Sequence, residues 1–80
     1  GGESLFRRKA VYALANGYGD AALPELTVAL AAPDHQLRAA TARALTKLAT
    51  PAAKDALRAR LAVEDDRMVR DLLTASVGGK

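Results

Sequence analysis

The run Leu37-Arg38-Ala39-Ala40-Thr41-Ala42-Arg43-Ala44-Leu45 has a counterpart 31 residues upstream, Phe6-Arg7-Arg8-Lys9-Ala10-Val11-Tyr12-Ala13-Leu14. The same offset pairs Ala22 with Ala53, Leu26 with Leu57, Leu30 with Leu61 and Asp34 with Asp65. A third start follows at Val69-Arg70, 32 residues after Leu37-Arg38, with the extra residue in Glu64-Asp65-Asp66. Several matches at one spacing are the mark of a repeat architecture, in which each unit buries its apolar face against the next. In each copy an acid also lies four residues before the Arg, as Glu3/Arg7, Asp34/Arg38 and Asp66/Arg70.

Each unit reads as two helices. Leu37, Ala40, Thr41, Ala44, Leu45 and Leu48 recur at helical spacing on one face. Ala49-Thr50-Pro51 then breaks the run, with Thr50 a good N-cap and Pro51 suited to the first helical position. The next helix carries Ala53, Leu57 and Leu61 inward. In the first unit Gly17-Tyr18-Gly19-Asp20 makes the turn, Asp20 is expected to cap, and Leu23, Leu26 and Leu30 follow at i, i+3 and i+7 with Pro24 in the first turn. Ala32-Pro33-Asp34 ends that helix and caps the next. The expected helices span about 4–16, 20–31, 35–48, 51–62 and 66–76, with Gly78-Gly79 a frayed end.

Composition agrees with an all-α chain. Half of the 80 residues are apolar, but Ala and Leu dominate, Val is sparse, Ile is absent, and Phe6, Tyr12 and Tyr18 are the only aromatics. Ala has the highest helix propensity and lets helices approach closely. There is no Cys, which removes disulfides and Cys-based zinc sites and leans toward a cytoplasmic setting. No apolar run approaches the roughly 20 residues that cross a bilayer. The net charge of +3 is an ordinary solubilising value.

The pattern apolar-Arg-x-x-Ala-x-x-Ala-Leu, a short turn, Ala-x-x-x-Leu-x-x-x-Leu and an acid resembles the HEAT-like repeats of the compact bacterial type, first named from phycobilisome lyase subunits. The resemblance covers nearly the whole chain, about two and a half units of a single domain (about 3–33, 34–64 and 65–80). It implies a right-handed α-α superhelix of about five helices; the start at Gly1-Gly2 rather than Met suggests an excised or processed piece of a longer protein. The resemblance further implies that the Arg-bearing helices line the concave side. By the same resemblance Glu3, Arg7, Asp34, Arg38, Asp66 and Arg70 match a structural ladder of charges that bridges adjacent units. Repeats of this kind occur in scaffolds, chromophore lyases, transport factors and DNA-repair proteins, so fold alone does not assign activity.

If the first helix of each unit lines the groove, helical spacing gives its outward residues. They are Leu5, Arg8, Lys9, Tyr12 and Asn16, then Gln36, Ala39, Arg43 and Lys47, then Met68, Asp71 and Ala75. These helices hold Arg7, Arg8, Lys9, Arg38, Arg43, Lys47, Arg67 and Arg70, so a basic inner face is expected that would attract an acidic peptide, an acidic protein surface or phosphate. Arg8, Tyr12 and Arg43 lead the expected partner contacts.

No catalytic site, metal site or cofactor is expected. His35 is the only His and sits at a helix start, and Asp65-Asp66 reads as a turn and cap rather than a carboxylate pair. The expected function is therefore a non-catalytic interaction or scaffold module for another protein or for further repeats of the same chain. The alternatives are nucleic-acid binding through the basic ridge, or a non-catalytic part of a larger enzyme such as a chromophore lyase. Met68, Val69, Leu72 and Leu73 have no following helix to cover them, so further chain, a partner or self-association through this helix is expected to do so.

Overall fold

A computed structural model describes the backbone of residues 2–78 and the side chains of residues 7–78; the side chains of Glu3, Leu5 and Phe6 therefore lie outside the described residues. The chain is all-α: α1 Gly2–Tyr18, α2 Leu23–Leu30, α3 His35–Leu48, α4 Pro51–Leu61 and α5 Arg67–Gly78, with a 3₁₀ turn at Gly19–Ala22.

The helix ends follow from local chemistry. Gly19 adopts φ +57° and ends α1; that left-handed conformation costs glycine nothing. The Asp34 carboxylate accepts from the Gln36 N–H at 2.9 Å and caps α3. Ala49 closes α3 with φ 61°, its N–H donating to the Leu45 carbonyl at 3.0 Å. Thr50 Oγ1 accepts from the Ala53 N–H at 3.1 Å and Pro51 opens α4, as the dipeptide leads one to expect. Asp66 caps α5 by accepting from the Val69 N–H at 3.0 Å.

One cap differs from expectation. Asp20 does not cap α2, whose N-cap is Ala22 with no side-chain bond. The 3₁₀ turn sets Asp20 three residues before the helix, and Pro24 in the first turn removes one of the amides that need a partner. Asp20 Oδ1 instead accepts from Thr50 Oγ1 at 2.6 Å, tying the α1–α2 turn to the α3–α4 turn.

Helices α1, α3 and α5 pack side by side in one layer, and α2 and α4 lie behind them. The slab is two helices thick, 33 × 26 × 17 Å between Cα extremes. Helix α3 is the centre, flanked on both sides and backed by both outer helices, and eight of its fourteen residues are buried. Leu26, Leu37, Leu45, Leu57 and Leu73 are among the fully buried side chains, each stabilising the fold by roughly 2–3 kcal/mol. Val11, Val69 and many alanines fill the spaces between them.

The expected bare face on α5 is smaller than its sequence suggests. Val69 and Leu73 are fully buried, Leu72 is half-buried, and only Met68, 45 % exposed, is open. The first pair turns inward toward α3 and α4, against which α5 packs, while Arg67, Arg70, Asp71 and Thr74 meet solvent.

Candidate functional site

Arg38 and Glu64 form the most elaborate polar contact in the described part of the molecule. Arg38 donates from Nε to Glu64 Oε1 at 3.0 Å and from Nη2 to Oε2 at 2.9 Å. Its Nη1 donates to the Ala32 and Pro33 carbonyls at 2.8 and 3.1 Å. Glu64 also accepts from Arg60 Nε and from the Asp66 N–H, each at 2.9 Å. The Glu64 side chain has no solvent contact. Burial alone would raise its pKa, but the bonds from Arg38, the Asp66 amide and Arg60, with the Arg38 charge, outweigh it and lower the pKa from 4.5 to about 2. The cluster joins the α2–α3 linker, α3, the last turn of α4 and the α4–α5 linker.

The described residues of the expected charge ladder take different places. Asp34 and Asp66 bind helix N-termini, and the carboxylate that meets Arg38 is Glu64. Asp65 reaches Arg38 only at 3.8 Å and is otherwise solvent-exposed. Arg7 and Arg70, the counterparts of Arg38, are both exposed. For Arg7, the residue at the position of Glu64 is Pro33, which has no carboxylate. The one local sequence signal for Glu64 is Arg60, four residues earlier.

The expected partner-facing residues divide by burial. Lys9, Asn16, Gln36, Arg43 and Lys47 are exposed, and Arg8 and Tyr12 are half-buried. Tyr12 packs on the core, and Arg8 Nε is buried without a hydrogen-bond partner. Ala39, expected to face outward, is 3 % exposed. Flanked by α1 and α5, α3 keeps only a narrow open strip, and a methyl group one position off that strip is covered. Met68, Asp71 and Ala75 on α5 are exposed.

Between α3 and α5 lies a hollow of about 370 Å³ lined by Arg43, Thr46, Lys47, Leu72, Ala75 and Ser76. A smaller one of about 200 Å³ opens between α1 and α2, where Arg7, Leu14, Glu25 and Val28 surround a floor that includes Val11 and Leu37. Repeated two-helix units, one shared layer of Arg-bearing helices and inter-unit bonds from Thr50 to Asp20 and from Arg38 to the Ala32 and Pro33 carbonyls define a helical solenoid. The family model for HEAT repeats matches residues 2–78.

The chain belongs to the HEAT-repeat family. The match is to HEAT repeats in general. No curated protein and no solved structure matches the chain. HEAT repeats generally mediate protein–protein contact or scaffolding and are generally non-catalytic. In this HEAT-repeat chain His35 is exposed at the start of α3, and Asp65 and Asp66 have separate roles, the first solvated and the second a cap. Among the described residues no three His, Cys, Asp or Glu side chains gather as metal ligands, and no helix is long and apolar enough to cross a membrane.

Proposed function

We propose that this HEAT-repeat chain is a non-catalytic protein-interaction module that offers the layer of α1, α3 and α5 to a partner protein. The observation that carries the reading is the single polar strip on α3. Gln36, Arg43, Thr46 and Lys47 are exposed on a helix that has eight of its fourteen residues buried. A strip fixed to a buried helix loses little backbone freedom on binding, which favours recognition. Lys9, Tyr12 and Asn16 extend the same surface onto α1, with Arg8 and Tyr12 partly seated and therefore held in place. Leu5 belongs to the same proposed strip by spacing alone.

The test is a photo-crosslinking amino acid placed in turn at positions 12, 43 and 47, and at the outer positions 52 and 58. The reading expects discrete protein adducts from the inner positions, competed away by unlabelled chain. Adducts confined to the outer positions would refute it. Nucleic-acid binding through the basic ridge is the competing reading, and a mobility shift at low salt, where phosphate contacts are strongest, would favour it.

A further inference from the structure

The hollow between α3 and α5 has a chemistry that narrows the partner further. Arg43 and Lys47 are one helical turn apart on α3, both exposed, and among the described residues no carboxylate lies within 4 Å of either. Asp71, one turn before Ala75 on α5, pairs with neither. Leu72 and Ala75 supply an apolar wall. At about 370 Å³ the hollow is at the small end of the range for ligand sites, about 300–1,000 Å³, and suits a few side chains rather than a cofactor.

Its two hydroxyls add a directional constraint. Thr46 Oγ1 lies 2.7 Å from the Ala42 carbonyl, Ser76 Oγ lies 2.8 Å from the Leu72 carbonyl, and the two oxygens are 2.6 Å apart. Three contacts thus compete for two hydroxyl hydrogens. No hydrogen is left to donate into the hollow, while lone pairs remain. The seat therefore offers cationic donors from one helix and neutral acceptors between the helices. A phosphodiester backbone, which brings only acceptors, leaves those lone pairs unused. A peptide brings carboxylates, amide N–H groups and aliphatic side chains together.

We infer that this hollow is the seat of an acidic, leucine-bearing peptide segment of a partner protein, its carboxylates on Arg43 and Lys47 and its aliphatic side chain against Leu72 and Ala75. The inference rests on the interaction-module reading above and names the partner's chemistry. Charge complementarity selects the acid, and the apolar wall selects the aliphatic neighbour.

The experiment uses the full chain and fluorescence anisotropy of a short labelled Leu/Glu peptide, the same peptide with every Glu replaced by Gln, and a single-stranded oligonucleotide of equal charge. Binding of the Leu/Glu peptide is expected to be saturable and to weaken several-fold between about 50 and about 300 mM salt. The double variant R43E/K47E and the single variant Ala75→Glu should each weaken it roughly tenfold or more, while the outer-helix control Lys54→Glu leaves it unchanged. All four substituted positions are exposed, and circular dichroism verifies that the variants fold. Absence of saturable binding, equal binding of the Gln peptide, equal loss with Lys54→Glu, or tighter binding of the oligonucleotide would each overturn the inference. If crosslinks at positions 43 and 47 persist while the peptide fails, only the acidic class is lost. If both fail, the parent reading goes with it.

Discussion

Arg38 and Glu64, twenty-six residues apart, meet as a bidentate pair in the interior, at 3.0 and 2.9 Å. Such a pair contributes little relative to a well-packed apolar substitute, but breaking it leaves a buried charge without its partner. Glu64→Gln is therefore expected to destabilise the fold by about 3–5 kcal/mol, read as a fall in the urea midpoint. A domain of this size has a total stability of only ~4–12 kcal/mol, so the loss is large. The double variant Arg38→Met/Glu64→Leu should be more stable than Glu64→Gln, because neither charge is left behind.

The same pair sets an acid limit. The Glu64 pKa is depressed in the folded state from 4.5 to about 2, so the unfolded chain binds the proton more tightly. Stability from this group is complete above pH ~4.5 and disappears as pH falls toward ~2, a loss on the order of 3 kcal/mol. Urea midpoints measured from pH 6 down to about 2 should show this decline, and Glu64→Gln should lack its share of it.

Ala49 holds a left-handed conformation that disfavours a Cβ. Ala49→Gly is expected to stabilise the chain by about 1 kcal/mol, with a matching rise in Tm. Gly19 has the same backbone sign, and Gly19→Ala is expected to cost about 1–2 kcal/mol. A Cβ at Gly19 would lie 3.8 Å from Leu48 Cδ1, an ordinary contact, so the cost is one of backbone conformation.

Thr50 caps α4 and donates to Asp20 through one hydroxyl. Thr50→Ala removes both bonds and is expected to cost about 1–2 kcal/mol. Asp20→Ala leaves the cap intact and is expected to cost only about 0.5–1 kcal/mol. Equal losses in thermal melts of the two variants would contradict this division of roles.

The helical frame was legible because its signals are local. Thr50-Pro51, Asp34 and the leucines at i, i+3 and i+7 act over one or two turns, and the 31-residue offset aligned the copies. The Arg38 contact was not legible, because helical spacing reveals partners on the same helix and Glu64 sits in a linker at the far end of the next one. Nor could the repeat disclose it, since the first copy has Pro33 at the corresponding place. Ala39 departs from its expected outward position for a different reason. Spacing defines one outward direction for α3, but two flanking helices narrow the opening to less than a helix face. Asp20 has the sequence look of a cap because a turn followed by an acid often is one, and the intervening 3₁₀ turn carries no comparable sequence mark.

Helix α3 divides its positions sharply. Ala39, Ala40, Ala42 and Ala44 are buried so tightly that an added methylene there has little room, while Gln36, Arg43 and Lys47 on the same helix touch solvent. Mutational drift is thus blocked where it would harm folding and open where it would alter what the helix meets. If the strip binds as proposed, a lineage of such chains can exchange one ligand for another by changing a few letters along it, with the architecture beneath left intact.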